Sequence, residues 1–486
     1  MVPLDRLRPL NPRPERADGA YVLYWMVAHR RPFHNFALQH AVERAVALGK
    51  PLLIVEWLGL GHPWAGDRFH RFMLEGMVDH VAHFATTTAT YRPWIETVTT
   101  RRGEALDRLF ASAAAVVTDD WPCFIHPGLI AEAGSQAPVA MTAVDSNGLL
   151  PLSQAALKER AVDFRRHLQK TLAPHLERFP VADPLRGVRL PPLAQVPLPV
   201  QDPAAFLAPG GLAALPIDHT VGAGVDRGGF RAAAACLARF RAERLARYHE
   251  DRSDFEAEAA SGLAPWLHYG HISVHEIVAT LLQAEDWSPA RLGAVTASKE
   301  GWWGTSPALE AFLDELVTWR ELGHAYCRLQ PRYDQWDTLP AWARATLEAH
   351  AADARPRVYT RAQLDAAETH DPLWNAAQRQ LVTEGRMHNY LRMLWGKKVL
   401  EWSRTPQEAF DTLIHLNNRY AQDGCDPNSY SGIAWCFGRF DRPWAPMRPI
   451  FGSIRYMSSD NTARKFRVKG YLARYGAVHT PSLLDP

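Results

Sequence analysis

The chain has 486 residues, of which 47% are hydrophobic and 22% charged, a balance that excludes a disordered polypeptide and leaves room for two domains. Lys and Arg number 54 against 52 Asp and Glu, so a net charge of +2 does not by itself announce a nucleic-acid partner. Five scattered cysteines with no C-x-x-C spacing argue against a disulfide framework or an iron–sulfur cluster, and no apolar run reaches the length of a membrane-spanning helix.

The first residues, Met1 to Gly19, are rich in Pro and Arg without the apolar core of a signal peptide, so a soluble, cytoplasmic protein is expected. Tyr21 to Met26 reads as a buried strand, Asn35 to Leu48 as an amphipathic helix and Pro51 to Trp57 as a second buried strand. Glu104 to Ala111 repeats the helical pattern, and Ala114 to Thr118 and Val139 to Val144 repeat the strand pattern. This alternation implies an α/β domain with a Rossmann-like parallel sheet over residues 1–185.

Proline then crowds Leu190 to Asp218, blocking long helices and sheet ladders, and residues 186–228 are assigned as an interdomain linker. The run GAGVDRGG, Gly222 to Gly229, follows no strand and belongs to that linker rather than to a phosphate cradle. From Gly229 onward the apolar spacing is helical, as in FRAAAACLARFRAERLARYHEDR and LVTEGRMHNYLRMLWGKKVLEW, which predicts an all-helical domain over residues 229–486. His271 and His275 stand four apart, a spacing that suits a shared metal on a helix, but no third ligand is near and no metal site is assigned.

Most of the 17 tryptophans fall in the helical half. Core packing explains most tryptophans. Trp395 and Trp402, however, are seven apart, hence two turns apart on one helix face, with Trp374 in a preceding segment. A line of indoles can pass single electrons to a redox cofactor. Between Arg439 and Arg474 nine basic residues face two acidic ones, interleaved with Phe440, Trp444, Phe451, Tyr456, Phe466 and Tyr471. Such a mixture neutralises phosphates and stacks on bases, or forms a solvated face beside the C-terminal core.

The runs MHNYLRMLWGKKVLEW (Met387 to Trp402), LNNRYAQDGCDPNSYSGIAW (Leu416 to Trp435), RPIFGSIRYM (Arg448 to Met457) and KFRVKGY (Lys465 to Tyr471) resemble the C-terminal signature of class II cyclobutane pyrimidine dimer photolyases. Upstream, YHEDRSDFEAEAASGLAPWLHYGHIS, FLDELVTWREL and THDPLWNAAQRQL match in order and spacing, so the resemblance covers residues 229 to 475, and the N-terminal third more loosely. It implies a helical domain that holds FAD, working as the fully reduced flavin, in a U-shaped pocket. It also implies a monomer that acts on damaged DNA with the dimer flipped out of the duplex. Arg392 and Asp423 match the charged pair beside the isoalloxazine, and Asn417 the amide next to flavin N5. Tyr248, Ser261, Gly262 and Leu263 match the stretch that receives the flavin's phosphates and ribose. Glu315 matches the carboxylate that contacts the dimer, a group whose pKa burial would raise so that it could donate a hydrogen bond. Trp319, Met393 and Trp435 match the apolar walls of the dimer pocket, and Arg455 an arginine near it. Trp395, Trp402 and Trp374 match the photoreduction relay. A deazaflavin antenna in the first domain is also implied.

The chain departs from the family pattern at several places. Ala28, His29 and His34 replace charged residues at the N-terminal strand exit, where only Arg31 and Asn35 remain, and the family makes interdomain contacts and its antenna site there. Ala264 stands for a serine, Asn389 for a glycine, Cys425 for an arginine and Ser429 for a glycine, all near flavin or substrate. Two other readings stay open: a cryptochrome-like photoreceptor, which would keep the flavin and the tryptophans, and an enzyme of the same fold turned to a non-repair reaction, which the changes at Ala264, Asn389 and Cys425 keep alive. Glu315, Trp319 and Trp435 favour repair, since signalling needs no dimer pocket, and so does the short stretch after Tyr475.

Overall fold

A computed structural model describes residues 1–99 and 102–476; the end of the helical domain assigned to residue 486 lies outside them. Six strands form one sheet in the order β1-β6-β5-β2-β3-β4, with β1 Leu7–Pro9, β2 Tyr21–Met26, β3 Leu52–Leu58, β4 Thr90–Ile95, β5 Ala113–Asp119 and β6 Met141–Val144. β2, β3 and β5 are buried along their whole length. Such strands, covered on both faces, read as continuous apolar runs rather than as alternations. Within β2, Val22, Tyr24 and Met26 pack with Phe36 and Leu38 of the helix Phe36–Leu48 in a small core. Tyr21, Leu23 and Trp25 join the large core that continues into the helical half.

One correction applies to the expected parallel sheet. Four of its pairings are parallel, but β1 runs antiparallel to β6, with Leu7 opposite Val144. Neither β1 nor β4 has a strand signature in the sequence, because each carries a proline, Pro9 and Pro93. A proline is tolerated there because both strands are edges. The helix Asp67–Phe84 is a further element that the sequence reading did not contain, while β3 and β6 begin one and two residues later than expected. The helix Phe36–Leu48 starts where Asn35 accepts from the Ala37 and Leu38 N–H groups (2.9 and 3.2 Å) and stops at Gly49, whose φ of 62° ends it in the left-handed region.

Residues 186–228 carry only short helical turns, Pro203–Leu207 and Leu212–Ala214, and from Phe230 onward every helix or strand among the described residues is helical. His271 precedes the helix Val274–Gln283, so it shares no helix face with His275, whose ring is enclosed by Phe36 and Phe179 at 5.3 and 5.1 Å. No described helix is long and apolar enough to cross a membrane.

The two halves are joined through buried charged groups. Arg31 donates to the Gly270 carbonyl (3.1 Å) and to Ser146 (2.9 Å), and Arg68 donates to the carbonyls of Leu381, Tyr420 and Val382. Glu321 of the helical half accepts from the backbone N–H groups of Leu149 and Leu150 (2.6 and 3.1 Å). At the departing positions Ala28 and His29 the backbone N–H groups donate to Asp119 of β5 (2.7 and 3.0 Å), a contact within the first half that needs no charged side chain.

Candidate functional site

A cavity of about 640 Å³ opens within the helical half, in the size range of cofactor pockets. Its walls come from residues near 260, from the helices Asn389–Trp402 and Pro427–Cys436, and from the ends of Pro372–Glu384 and Pro406–Tyr420. The local sequence explains the turns that shape it. Gly385, at φ 77°, ends the helix Pro372–Glu384. His388 then caps the next helix by accepting from the Tyr390 N–H (3.2 Å), and Asp426 caps Pro427–Cys436 by accepting from the Asn428 N–H (2.8 Å). Burial lowers the His388 pKa to about 4, so its ring is a neutral acceptor near pH 7.

Inside the cavity the Arg392 guanidinium donates to both oxygens of Asp423, at 3.0 and 3.3 Å, the two-pronged geometry that orients a guanidinium firmly. Asn417 presents its amide from the last turn of Pro406–Tyr420, 3.4 Å from Asn418 Oδ1. Gly432 also lines the wall, and a Cβ placed there would meet nothing within 4 Å, so the missing side chain leaves space for a flat ligand. Arg244, Arg386 and Arg474 also line it and supply cations, the last two paired with Glu384 at 3.3 and 3.2 Å. A planar system with a polar edge and an anionic tail fits this donor set.

Of the residues named from the sequence, Ser261, Gly262, Arg392, Met393, Trp395, Asn417 and Asp423 line this one cavity although they are up to 162 positions apart. The departing positions Ala264, Asn389 and Ser429 line it as well. Tyr248 and Leu263 are buried off the wall, Tyr248 between Phe240 and Phe312 at 5.8 and 5.4 Å. Glu315 and Trp319 sit together on a π-helical turn, Asp314–Trp319, a rare geometry that is frequent at functional sites, but neither lies on the cavity wall. Glu315 is ion-paired with Arg252, and burial raises its pKa against the opposing pull of that guanidinium. Trp435 is also off the wall but adjoins Cys436, which lines it, and the Arg455 guanidinium lies 5.7 Å from the Trp435 ring centre.

The three relay candidates are contiguous. Trp395 lines the cavity and donates from Nε1 to Gln378 Oε1 (2.9 Å), and its backbone carbonyl accepts from Trp374 Nε1 (3.1 Å). Trp374 meets Trp402 edge-on at 5.6 Å, and Trp402 in turn meets Tyr359 at 5.5 Å, beside the exposed His370. The indoles thus run from the cavity wall toward the surface, Trp395 linked to Trp374 through its backbone carbonyl and Trp374 to Trp402 through ring contact.

Two further groups carry no signal in the sequence. Arg252 lies inside a matched block, but nothing in its spacing marks it as the partner of Glu315. Lys397 is 1% exposed in the helix that carries Trp395. Along the basic C-terminal stretch the cations pair with rings: Arg442 lies 4.7 Å from Trp444, Arg455 5.0 Å from the same ring, and Arg448 4.9 Å from Tyr456. A second, smaller cavity of about 90 Å³ lies at the carboxyl ends of β2, β3 and β5, where Trp121 is met by His29, His126, His268 and His324.

No family model matches the chain. Among curated proteins it is 36% identical over 480 residues to the deoxyribodipyrimidine photo-lyase of Methanothermobacter thermautotrophicus, covering 98% of both chains. Among solved structures it is similar to a class III photolyase from Agrobacterium tumefaciens, with a TM-score of 0.67 and 18% identity over 94% of this chain and 86% of that one. A cryptochrome from Synechocystis gives a TM-score of 0.64 at 14% identity, over 94% and 88%.

Proposed function

The chain belongs to the deoxyribodipyrimidine photolyase family, and from that premise we propose that it is a class II enzyme repairing cyclobutane pyrimidine dimers in DNA by light-driven electron transfer from reduced FAD. Family membership makes it a flavin-dependent DNA-repair lyase. The observation that carries the finer reading is the single cavity in which Arg392, Asp423, Asn417 and Trp395 meet.

Those residues suit FAD. Arg392 and Asp423 would hold the polar edge of the ring, Asn417 would offer its amide to it, and the cations Arg244, Arg386 and Arg474 would take the phosphates. Ala264, where the family has a serine, offers the phosphates one hydrogen bond fewer. Reduced FAD held there would supply, on absorbing light, the single electron that opens the cyclobutane ring and is returned afterwards, with no net redox change. On the substrate side Trp435, Met393 and Trp319 would supply apolar walls. Glu315, its pKa already raised by burial, would face the negative charge that develops there once Arg252 gives it up. The exposed Arg442, Arg448 and Arg455 would meet the DNA backbone.

A deazaflavin antenna in the first domain belongs to the same proposal, and the cavity at the sheet's carboxyl edge, walled by Trp57, Trp121 and His126, is the opening there that a flat ring could enter. A monomer acting in the cytoplasm completes the proposal.

The test is to incubate reduced protein with a dimer-containing oligonucleotide in blue light and in darkness. Repair confined to the light supports this reading. Bound flavin without repair would favour a photoreceptor or a redirected enzyme, readings that the Synechocystis likeness in fold and the departures at Ala264, Asn389 and Cys425 support.

A further inference from the structure

Lys397 is a cation in an unusual place. Its side chain projects from the helix Asn389–Trp402, is almost wholly buried, and donates from Nζ to the Cys436 carbonyl at 2.5 Å. Its neighbour Lys398 has a carboxylate, Glu401, at 2.7 Å; Lys397 instead has that carbonyl and the face of Trp435, whose ring centre is 5.1 Å from Nζ. Burying an ammonium without a carboxylate is expensive, so a cation kept in this setting calls for a role.

Its two contacts suggest one. The Cys436 carbonyl belongs to the end of the helix Pro427–Cys436, and the Cys436 side chain lines the large cavity. The Trp435 ring receives a second cation, Arg455, at 5.7 Å. Arg455 continues to Trp444 at 5.0 Å, and Trp444 to Arg442 at 4.7 Å. Cations and indoles therefore alternate from the buried Lys397 to the exposed Arg442, and the Trp435 ring receives both an interior charge and a surface charge.

We propose that Lys397 is a positioning residue for the substrate side of the site: through the Cys436 carbonyl and the Trp435 face it fixes that indole as a rigid wall for the dimer and sets a positive charge behind it. The proposal rests on the reading of Trp435 as a dimer wall and adds to it the group that holds the wall. A fixed cation behind the ring also favours a substrate that acquires negative charge, since in a low-dielectric interior such a charge acts with little screening. Arg455, exposed and screened by water, cannot replace it.

Burial lowers the Lys397 pKa to about 8, against the raising influence of the Cys436 thiol and Asp441, while Arg455 lowers it further. The ammonium is thus present at neutral pH and is lost as pH rises through about 8.

The experiment uses the flavin-loaded protein and a dimer-containing oligonucleotide, measuring the dissociation constant in the dark between pH 6.5 and 9 and the repair per absorbed photon. Lys397→Met should weaken dimer binding roughly thirtyfold at pH 7, the size of a desolvated cation–π contact, with flavin content unchanged. Lys397→Arg should restore most of it. The parent should lose affinity above about pH 8, and Lys397→Met should lack that limb. Parent-like affinity and pH profile in Lys397→Met, or Lys397→Arg no better than Lys397→Met, would overturn the proposal. Should Lys397→Met fail to fold, the parent alone decides, because a flat profile from pH 7 to 9 is incompatible with the assigned role. A parent that binds no dimer overturns the dimer reading and this one together, whereas a parent that binds and repairs with a silent Lys397 overturns this one only.

Discussion

Trp374 and Trp402 meet edge to face, with ring centres 5.6 Å apart and planes at 71°, and both are buried. Edge-to-face contact is common in cores and is worth about 1 kcal/mol, so packing alone would account for it. The Trp374 Nε1 bond to the Trp395 carbonyl and the position of Trp395 on the cavity wall give the pair a direction, from the cavity outward. Trp374→Phe and Trp402→Phe should therefore slow photoreduction of oxidised flavin by an order of magnitude or more. Repair by chemically reduced enzyme should change little. Tyr359→Phe, which keeps the ring beside Trp402, should have the smaller effect on photoreduction. Absorbance under blue light with an external reductant reads the first quantity and dimer loss the second; equal damage to both would reduce the tryptophans to packing.

The Arg392–Asp423 pair sets the polar end of the cavity. Asp423→Ala leaves the guanidinium without its anion and with freedom to turn, so uptake of FAD by deflavinated protein should weaken about tenfold or more, in line with the cost of losing a charged hydrogen bond. Asp423→Asn, which keeps an acceptor, should fall in between. Fluorescence titration with FAD measures both, and unaltered uptake in Asp423→Ala would remove the pair from the flavin site.

How much of this was legible from residues alone depends on distance along the chain. β2, β3 and β5 are apolar runs because both their faces are covered, and the helix at Asn35 announces itself with a capping asparagine; these are local signals. β1 and β4 are edge strands with prolines, and an edge is a property of the sheet, not of six residues. In the site, Arg392 and Asp423 were paired by resemblance and meet at 3.0 Å, whereas nothing in the chain associates Arg252 with Glu315, 63 positions away, or sets Lys397 against Trp435. The four histidines around Trp121 come from residues 29 to 324, so no spacing pattern reveals them. The helical spacing of Trp395 and Trp402 is a local signal, whereas Trp374 is joined to them in the sequence by resemblance alone.

Arg442 is exposed and rests on Trp444, whose Nε1 is held by Asp441 at 3.2 Å. A cation presented in this way can neutralise a phosphate but has no means of recognising a lesion. Arg442→Ala should weaken binding to damaged and undamaged duplex alike and reduce the salt slope of log K by about 1. Binding isotherms at several salt concentrations test this. A loss confined to the damaged strand would instead place Arg442 against the dimer.

Glu321 gives a pH signature at the domain junction. It is fully buried, receives the Leu149 and Leu150 N–H groups, and has its pKa raised by burial from the ordinary 4.5 to about 7. A carboxyl whose folded pKa lies above its unfolded one binds its proton more tightly when folded. Its contribution is therefore complete below about pH 4.5, declines between 4.5 and 7, and is gone above 7; the shift corresponds to about 3 kcal/mol. His126 and His324 act in the other sense: burial lowers both to about 3, so their share is complete above 6.5 and is lost as pH falls. The parent should accordingly be most stable at an intermediate pH. Glu321→Gln keeps an oxygen for the two N–H groups and has no proton to lose, so it should retain the acid-side fall and lose the decline toward pH 7. Urea midpoints at pH 5, 6, 7 and 8 should show the variant gaining on the parent as pH rises; parallel curves would mean that Glu321 is already ionised in the folded protein at pH 5.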